Sequence, residues 1–170
     1  MAERTRDEVD DLVDAWARER TDLDLDPVAV FSRISRLARH LDLARREAFS
    51  AHDIESWEFD VLAALRRAGA PYELSPGRLL RETLVTSGTM TNRVDRLAAR
   101  GLVERYPDPE DRRGVIVRLT PDGAARVDAA FAALLDAERA LLSGLPARDQ
   151  ARLTALLRSL LAPFGEPGPG

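Results

Sequence analysis

A chain of 170 residues, 45% hydrophobic and 32% charged, has the composition of one soluble globular domain with enough residues for a real core. It has no cysteine and two histidines, His40 and His52, which excludes disulfides, thiolate metal centres and cysteine-based redox or nucleophilic chemistry, and weighs against a histidine-rich metal site. The net charge of −4 conceals an asymmetry: residues 1–26 carry ten acids and four arginines, whereas residues 74–118 carry nine arginines and six acids. Phosphate binding requires a local basic face and not a basic whole.

All 25 basic residues are arginine, a bias that reads as the codon composition of the host. No apolar run is long enough to span a bilayer, and the acidic, arginine-containing start (residues 1–11) is no signal peptide, so a cytoplasmic protein without a membrane partner is expected.

Most of the chain reads as helix. Residues 6–20 form a short acidic helix with Val9, Val13 and Trp16 on one side. Asp26-Pro27 is a start signal, with Asp26 as the capping acid. From there Val28, Phe31, Ile34, Leu37, Leu41 and Ala44 keep helical spacing to about Ala51. A helix from about Glu55 to Ala68 turns Phe59, Leu62 and Leu65 inward and ends at Gly69-Ala70-Pro71. Tyr72-Glu73-Leu74 is extended, and Ser75-Pro76 opens a short helix over residues 75–83.

The next helix, residues 87–100, has Met90, Val94 and Leu97 at i, i+4 and i+7 and closes at Arg100-Gly101. Residues 102–106 and 115–119 read as strands of a hairpin with a long charged tip. Thr120-Pro121-Asp122-Gly123 opens a long helix to about Leu142, striped with Val127, Phe131, Leu134, Leu135 and Leu141. Ser143-Gly144-Leu145-Pro146 breaks it. A last helix aligns Leu153, Leu156, Leu157, Leu160 and Leu161, and residues 165–170 read as a disordered tail.

The expected fold is therefore mainly α with a small β wing: two helices, a short turn between them, then a two-stranded hairpin, which is the winged helix-turn-helix. In residues 87–100 the polar positions Ser87, Thr89, Thr91, Asn92, Arg93 and Arg96 suit a major groove, with hydroxyls and an amide for base edges and phosphates and arginine for guanine or phosphate. Taken alone, such a helix is equally an amphipathic helix with a solvated polar face. The hairpin tip adds Arg112 and Arg113, a pair suited to a narrow minor groove, with Asp111 as a support for the loop. The leucine stripe at 153–161 suits either a second copy of the chain or an intrachain core. No nucleophile–base pair, phosphate loop or metal-ligand spacing points to an enzyme or to a bound cofactor.

The run from Thr86-Ser87-Gly88-Thr89-Met90-Thr91-Asn92-Arg93 through Arg100-Gly101-Leu102-Val103, Asp108 to Gly114 and Leu119 to Gly123 resembles the MarR family of bacterial transcription regulators. The resemblance implies an intertwined homodimer on a pseudo-palindromic double-stranded operator. Its parts are an extra N-terminal helix (1–26), a helical dimerisation region (27–54 and 124–164) and a winged DNA-binding lobe (55–123).

The extra acidic helix resembles the urate-responsive and PecS-like subgroup. That resemblance carries a ligand site onto Trp16, Asp60, Arg93 and Arg105, four positions at which all the residue types are present. It implies release from DNA by a small planar anion, urate first, with tricarboxylates such as citrate or trans-aconitate as the alternative. The anion pairs with Arg105 and stacks on Trp16, repels Asp60, and through Asp60 moves Arg93. Against this stand plainer roles: Trp16 as an anchor for its helix, Asp60 and Arg105 as a structural ion pair, Arg93 as a phosphate contact. A winged protein-interaction module without specific DNA binding is the competing reading of the fold.

Overall fold

The computed structural model describes residues 6–83, 86–109 and 114–164, so the predicted tail at 165–170 and the tip residues Asp111, Arg112 and Arg113 lie outside the described residues. The chain divides into two compact units, residues 1–47 and 48–170.

In the first unit α1 runs Glu8–Glu19 and α2 begins at Asp26 and runs to Ser50. The start of α1 is a reciprocal cap. Asp7 accepts from the backbone N–H groups of Val9 (2.9 Å) and Asp10 (3.2 Å), while the Asp10 carboxylate accepts from the Asp7 N–H at 2.9 Å. Arg33 of α2 then ties both carboxylates, donating to Asp7 and Asp10 at 2.8–2.9 Å, and Arg36 pairs with Glu8 at 2.5 Å. The Arg33 guanidinium holds the Asp7 carboxyl below its ordinary value. For Asp10 the Asp7 N–H is the larger cause and Arg33 the second.

One boundary differs from expectation. Asp26 is the first helical residue of α2, not its cap; Asp24 supplies the capping oxygen, accepting from the Asp26 N–H at 3.0 Å. The predicted stripe of α2 is present as a pattern but not buried within the chain, with Phe31, Ile34 and Leu37 all exposed.

The second unit is built on α3 (Ser56–Arg67), α4 (Pro76–Thr83), α5 (Ser87–Ala99), α6 (Pro121–Leu142) and α7 (Ala147–Leu161), with a three-stranded antiparallel sheet of β1 (Glu73–Leu74), β2 (Val103–Pro107) and β3 (Val115–Leu119) in the order β1-β3-β2. The register places Glu73 opposite Arg118 and Arg105 opposite Val117. Leu62 and Leu65 of α3, Leu79 of α4, Met90 and Leu97 of α5, Val117 of β3 and Val127 of α6 meet in one core, where Phe49 stacks on Phe59 with ring centroids 4.2 Å apart. Burial of each such side chain contributes about 1.5–3 kcal/mol.

Helix α5 is terminated by a paired motif. Gly101, with φ +72°, donates to the carbonyl of Ala98 at 2.9 Å, and Leu102 donates to that of Leu97 at 3.0 Å. This left-handed position is one that glycine occupies without a Cβ penalty. The chain then enters β2, returns in β3 and starts α6 at a second close junction. The Thr120 hydroxyl accepts from the Gly123 N–H at 3.0 Å and donates to the Gly101 carbonyl at 2.8 Å. Gly123 lies so close to the backbone of Leu102 that an added Cβ would stand 2.1 Å from its carbonyl oxygen.

Among the described residues α7 buries no side chain: Leu156 is 56% and Leu161 65% exposed, and Phe131 of α6 is also exposed. The alternative of an intrachain core for the leucine stripe is therefore not realised. No helix among the described residues is long and apolar enough to cross a membrane.

Candidate nucleic-acid interface and effector site

Helix α5 is positioned by its apolar face. Met90, Val94 and Leu97 are buried, and this alone turns Ser87, Thr89, Thr91, Asn92 and Arg96 outward and leaves Arg93 half-buried at the edge. The small residues at 87–89 bring the helix start to the surface without a bulky shield. Two hydroxyls are partly engaged locally: Thr89 shares a 2.9 Å hydrogen bond with Thr86, and Thr91 donates to the Ser87 carbonyl at 3.3 Å. Their remaining lone pairs and the Asn92 amide face solvent.

Trp57, Gly88, Thr89, Asn92, Arg93 and Arg96 line an open groove of about 460 Å³ between α3 and α5. The indole of Trp57 lies beneath both arginines, with the guanidinium carbon of Arg96 4.6 Å and that of Arg93 5.6 Å from the ring centroid. Glu55 closes the group, accepting from the Trp57 indole N–H at 2.8 Å and from Arg96 at 3.1 Å. Sequence reasoning selected Arg93 and Arg96 but neither Trp57 nor Glu55.

Below the helix a second charged group fixes its far end. The Glu58 carboxylate is 1% exposed and accepts from the Glu55 N–H at 2.9 Å and from Arg100, the C-cap of α5, at 2.5 Å. Arg100 also donates to the carbonyl and carboxylate of Asp53 at 2.6 Å, and Arg126 of α6 reaches the same carboxylate at 3.0 Å. The hydrogen bond to Glu58 raises the Arg100 pKa further above its already high value. Glu58 Oε1 has no partner among the described residues. Within the wing, Arg118 donates to Glu73 at 2.5 Å and to the Tyr106 hydroxyl at 3.2 Å, and the Tyr106 and Arg118 contacts hold the Glu73 carboxyl below its ordinary value.

Of the residues carried over as an effector site, Trp16 belongs to the first unit, on α1, and is 49% exposed. Asp60 is an exposed residue of α3, Arg93 stands on Trp57, and Arg105 projects from β2 to an ion pair with Asp95 of α5. The partner of Arg105 is thus a residue of α5, two positions from Arg93. A separate cavity of about 280 Å³ lies between α3 and α6, walled by Phe59, Val127 and Phe131 and rimmed by the Arg66–Asp128 ion pair at 2.9 Å. Among the described residues no group of three or more His, Cys, Asp or Glu could hold a metal ion.

The sequence profile of the MarR family matches residues 52–114. The HTH-type transcriptional regulator PecS of Dickeya dadantii is 38% identical over 150 residues, covering 88% of this chain and 90% of that protein. A cysteine-to-serine variant of MarR from E. coli, solved in complex with operator DNA, superposes with a TM-score of 0.68 at 33% identity, covering 82% of this chain and 99% of that one. A structure of BpsR from Bordetella bronchiseptica, described as giving a mechanism for regulation of its DNA binding by 6-hydroxynicotinic acid, superposes with a TM-score of 0.63 at 29% identity, covering 77% of this chain and 91% of that one.

Proposed function

The chain belongs to the MarR family of transcriptional regulators, and from that premise we propose that it is a dimeric, operator-binding repressor released from DNA by a small organic anion. The observation that carries the DNA reading is the outward face of α5, where Ser87, Thr89, Thr91, Asn92, Arg93 and Arg96 stand opposite a fully buried apolar face. Arg93 and Arg96 supply guanidinium groups for guanine or phosphate, and Asn92 an amide suited to adenine. The wing residues Arg112 and Arg113, supported by Asp111, are assigned to the adjacent minor groove. Dimerisation is supported by the unburied apolar faces of α2 and α7, since contiguous exposed leucines on a soluble protein mark an interaction surface.

The anion reading rests on Arg105. In the free chain its guanidinium is held by Asp95 of α5. An anion that takes Arg105 competes with that carboxylate and so acts directly on α5, while Asp60 of the same unit supplies charge discrimination. Because linkage is reciprocal, DNA binding then weakens the anion as much as the anion weakens DNA. Urate and the tricarboxylates both suit a guanidinium-based site. The regulation of BpsR by 6-hydroxynicotinic acid offers a small aromatic acid as a second effector class, and the α3–α6 cavity, with its apolar walls and Arg66 at the rim, suits such a ligand.

A gel-shift titration on DNA upstream of the protein's own coding sequence, with urate, citrate, trans-aconitate and 6-hydroxynicotinate added separately at fixed salt, tests the proposal. Release by urate or a tricarboxylate, lost in Arg105→Ala while DNA binding survives, supports the Arg105 site. Release by the aromatic acid, lost in Arg66→Ala instead, assigns the cavity. Tight binding indifferent to all of them removes the effector half and leaves a DNA-binding regulator; equal binding to shuffled DNA removes the operator half and favours a protein-interaction module.

A further inference from the structure

The groove between α3 and α5 contains a unit whose role is not covered by base reading. Trp57 and Glu55 are not on α5, yet among the described residues the Arg96 side chain makes its hydrogen bond and its cation–π contact with this pair: its guanidinium lies 4.6 Å over the indole and 3.1 Å from Glu55 Oε1. The other carboxylate oxygen accepts from the indole N–H at 2.8 Å, so Glu55 fixes the orientation of the ring that carries the guanidinium. The Arg93 guanidinium also lies over this ring, 5.6 Å from its centroid. A free arginine on an exposed helix samples many rotamers and binds any phosphate within reach. Here the indole restricts the position of the guanidinium and a carboxylate opposes its charge, both contacts lying within normal range for their kind.

We propose that Trp57 and Glu55 are positioning residues for sequence discrimination, a clamp that withholds Arg96 from indiscriminate phosphate contact and presents it with Arg93 in a fixed geometry. The inference rests on the reading of α5 as the DNA-reading helix. Operator binding replaces the Glu55 contact with base or phosphate contacts at a defined position. Random DNA, which offers phosphates without the matching base edges, has less to exchange for it. The clamp therefore lowers non-specific binding more than specific binding, and specificity is the ratio of the two.

The full-length protein is titrated by fluorescence anisotropy against a labelled duplex from its own upstream DNA and a shuffled duplex of the same composition, at several salt concentrations. Glu55→Gln is expected to tighten binding to the shuffled duplex roughly 1.4- to 5-fold per protomer, the range for losing an exposed pair. The slope of log K against log salt is expected to steepen by about 0.9 per arginine released, and the ratio between the duplexes to fall. Trp57→Ala lowers the ratio as well, whereas Trp57→Phe, which retains a π face, restores most of it. In a wild-type protein that discriminates the duplexes, an unchanged ratio and slope in Glu55→Gln overturns the clamp, and this exposed substitution keeps the test valid if Trp57→Ala fails to fold. A wild-type protein that does not discriminate the duplexes instead defeats the DNA-reading proposal. The clamp is then judged without DNA. In a Trp16→Phe background Trp57 is the sole tryptophan, and its emission must shift on Glu55→Gln and on Arg96→Ala; emission unmoved in both overturns the inference.

Discussion

Arg105 of β2 and Asp95 of α5 form an ion pair that joins the wing to α5. Both side chains keep partial access to water, so the pair contributes at the scale of about 0.2–1 kcal/mol typical of exposed pairs. Its importance is in what an anion must displace. Asp95→Asn frees Arg105 without removing it, and the effector concentration that releases half the DNA is expected to fall roughly 1.4- to 5-fold, converted from that energy. Gel-shift titration with the active anion measures this directly. An unchanged midpoint means that the effector does not compete with Asp95.

Gly123→Ala is expected to destabilise the second unit. The new methyl group would meet the Leu102 carbonyl oxygen at 2.1 Å, a backbone atom that cannot rotate away. Overpacking of this kind costs about 1–3 kcal/mol, visible as a drop of several degrees in Tm by circular dichroism. Gly88→Ala, with open space around its site, is the control and produces no comparable loss.

Arg100→Ala leaves the buried Glu58 carboxylate without its cation. Removing one partner of a buried pair costs about 3 kcal/mol, less any relief from water reaching the vacated position. Replacing Glu58 by Gln in the same chain removes the stranded charge, so the double variant is expected to be more stable than Arg100→Ala alone. Chemical denaturation of the four members of this cycle checks the sign.

The clasp of Arg33 on Asp7 and Asp10 is expected to open in acid. Both carboxyls have pKa values lowered in the folded chain, so their stabilisation is fully present above the ordinary aspartate value of about 3.9 and is lost as pH falls through the lowered values. In a Trp57→Phe background the emission of Trp16 on α1 reports the change. The transition should lie below the ordinary aspartate range, and Asp7→Asn, which still caps the helix but carries no charge, should weaken it.

Much of the fold is legible because it is periodic. Met90, Val94 and Leu97 fix the inner face of α5 by spacing alone, and the outer face follows from it; the Thr120-Pro121 start and the Arg100-Gly101 stop are local signals of equal clarity. The Asp24 cap was missed because Asp26 adjoining Pro27 gives the same signal two residues later. Trp57 and Glu55 were not legible as part of the interface, since their partners are 36 or more residues away and no local period reports a stack between helices. Glu58 had a weak signal, three residues after Glu55 in the position where a capping carboxylate folds back, but nothing local announces that Arg100 arrives to neutralise it. The stripes of α2 and α7 are legible as apolar from spacing, while their exposure depends on what else packs there, which periodicity does not encode.

The Thr120 hydroxyl serves two helices at once, bonded to Gly101 after the end of α5 and to Gly123 in the first turn of α6, with the glycine backbone pressed against Leu102. Such a joint has no slack. The 22 residues of α6 extend about 33 Å from it, so a tilt of about 5° at the joint corresponds to about 3 Å at the distal tip by the same geometry. Read in the opposite direction, a displacement applied far out on α6 reaches the end of α5 as a small, geared-down rotation, so α6 acts as a lever arm on the helix that carries Arg93 and Arg96.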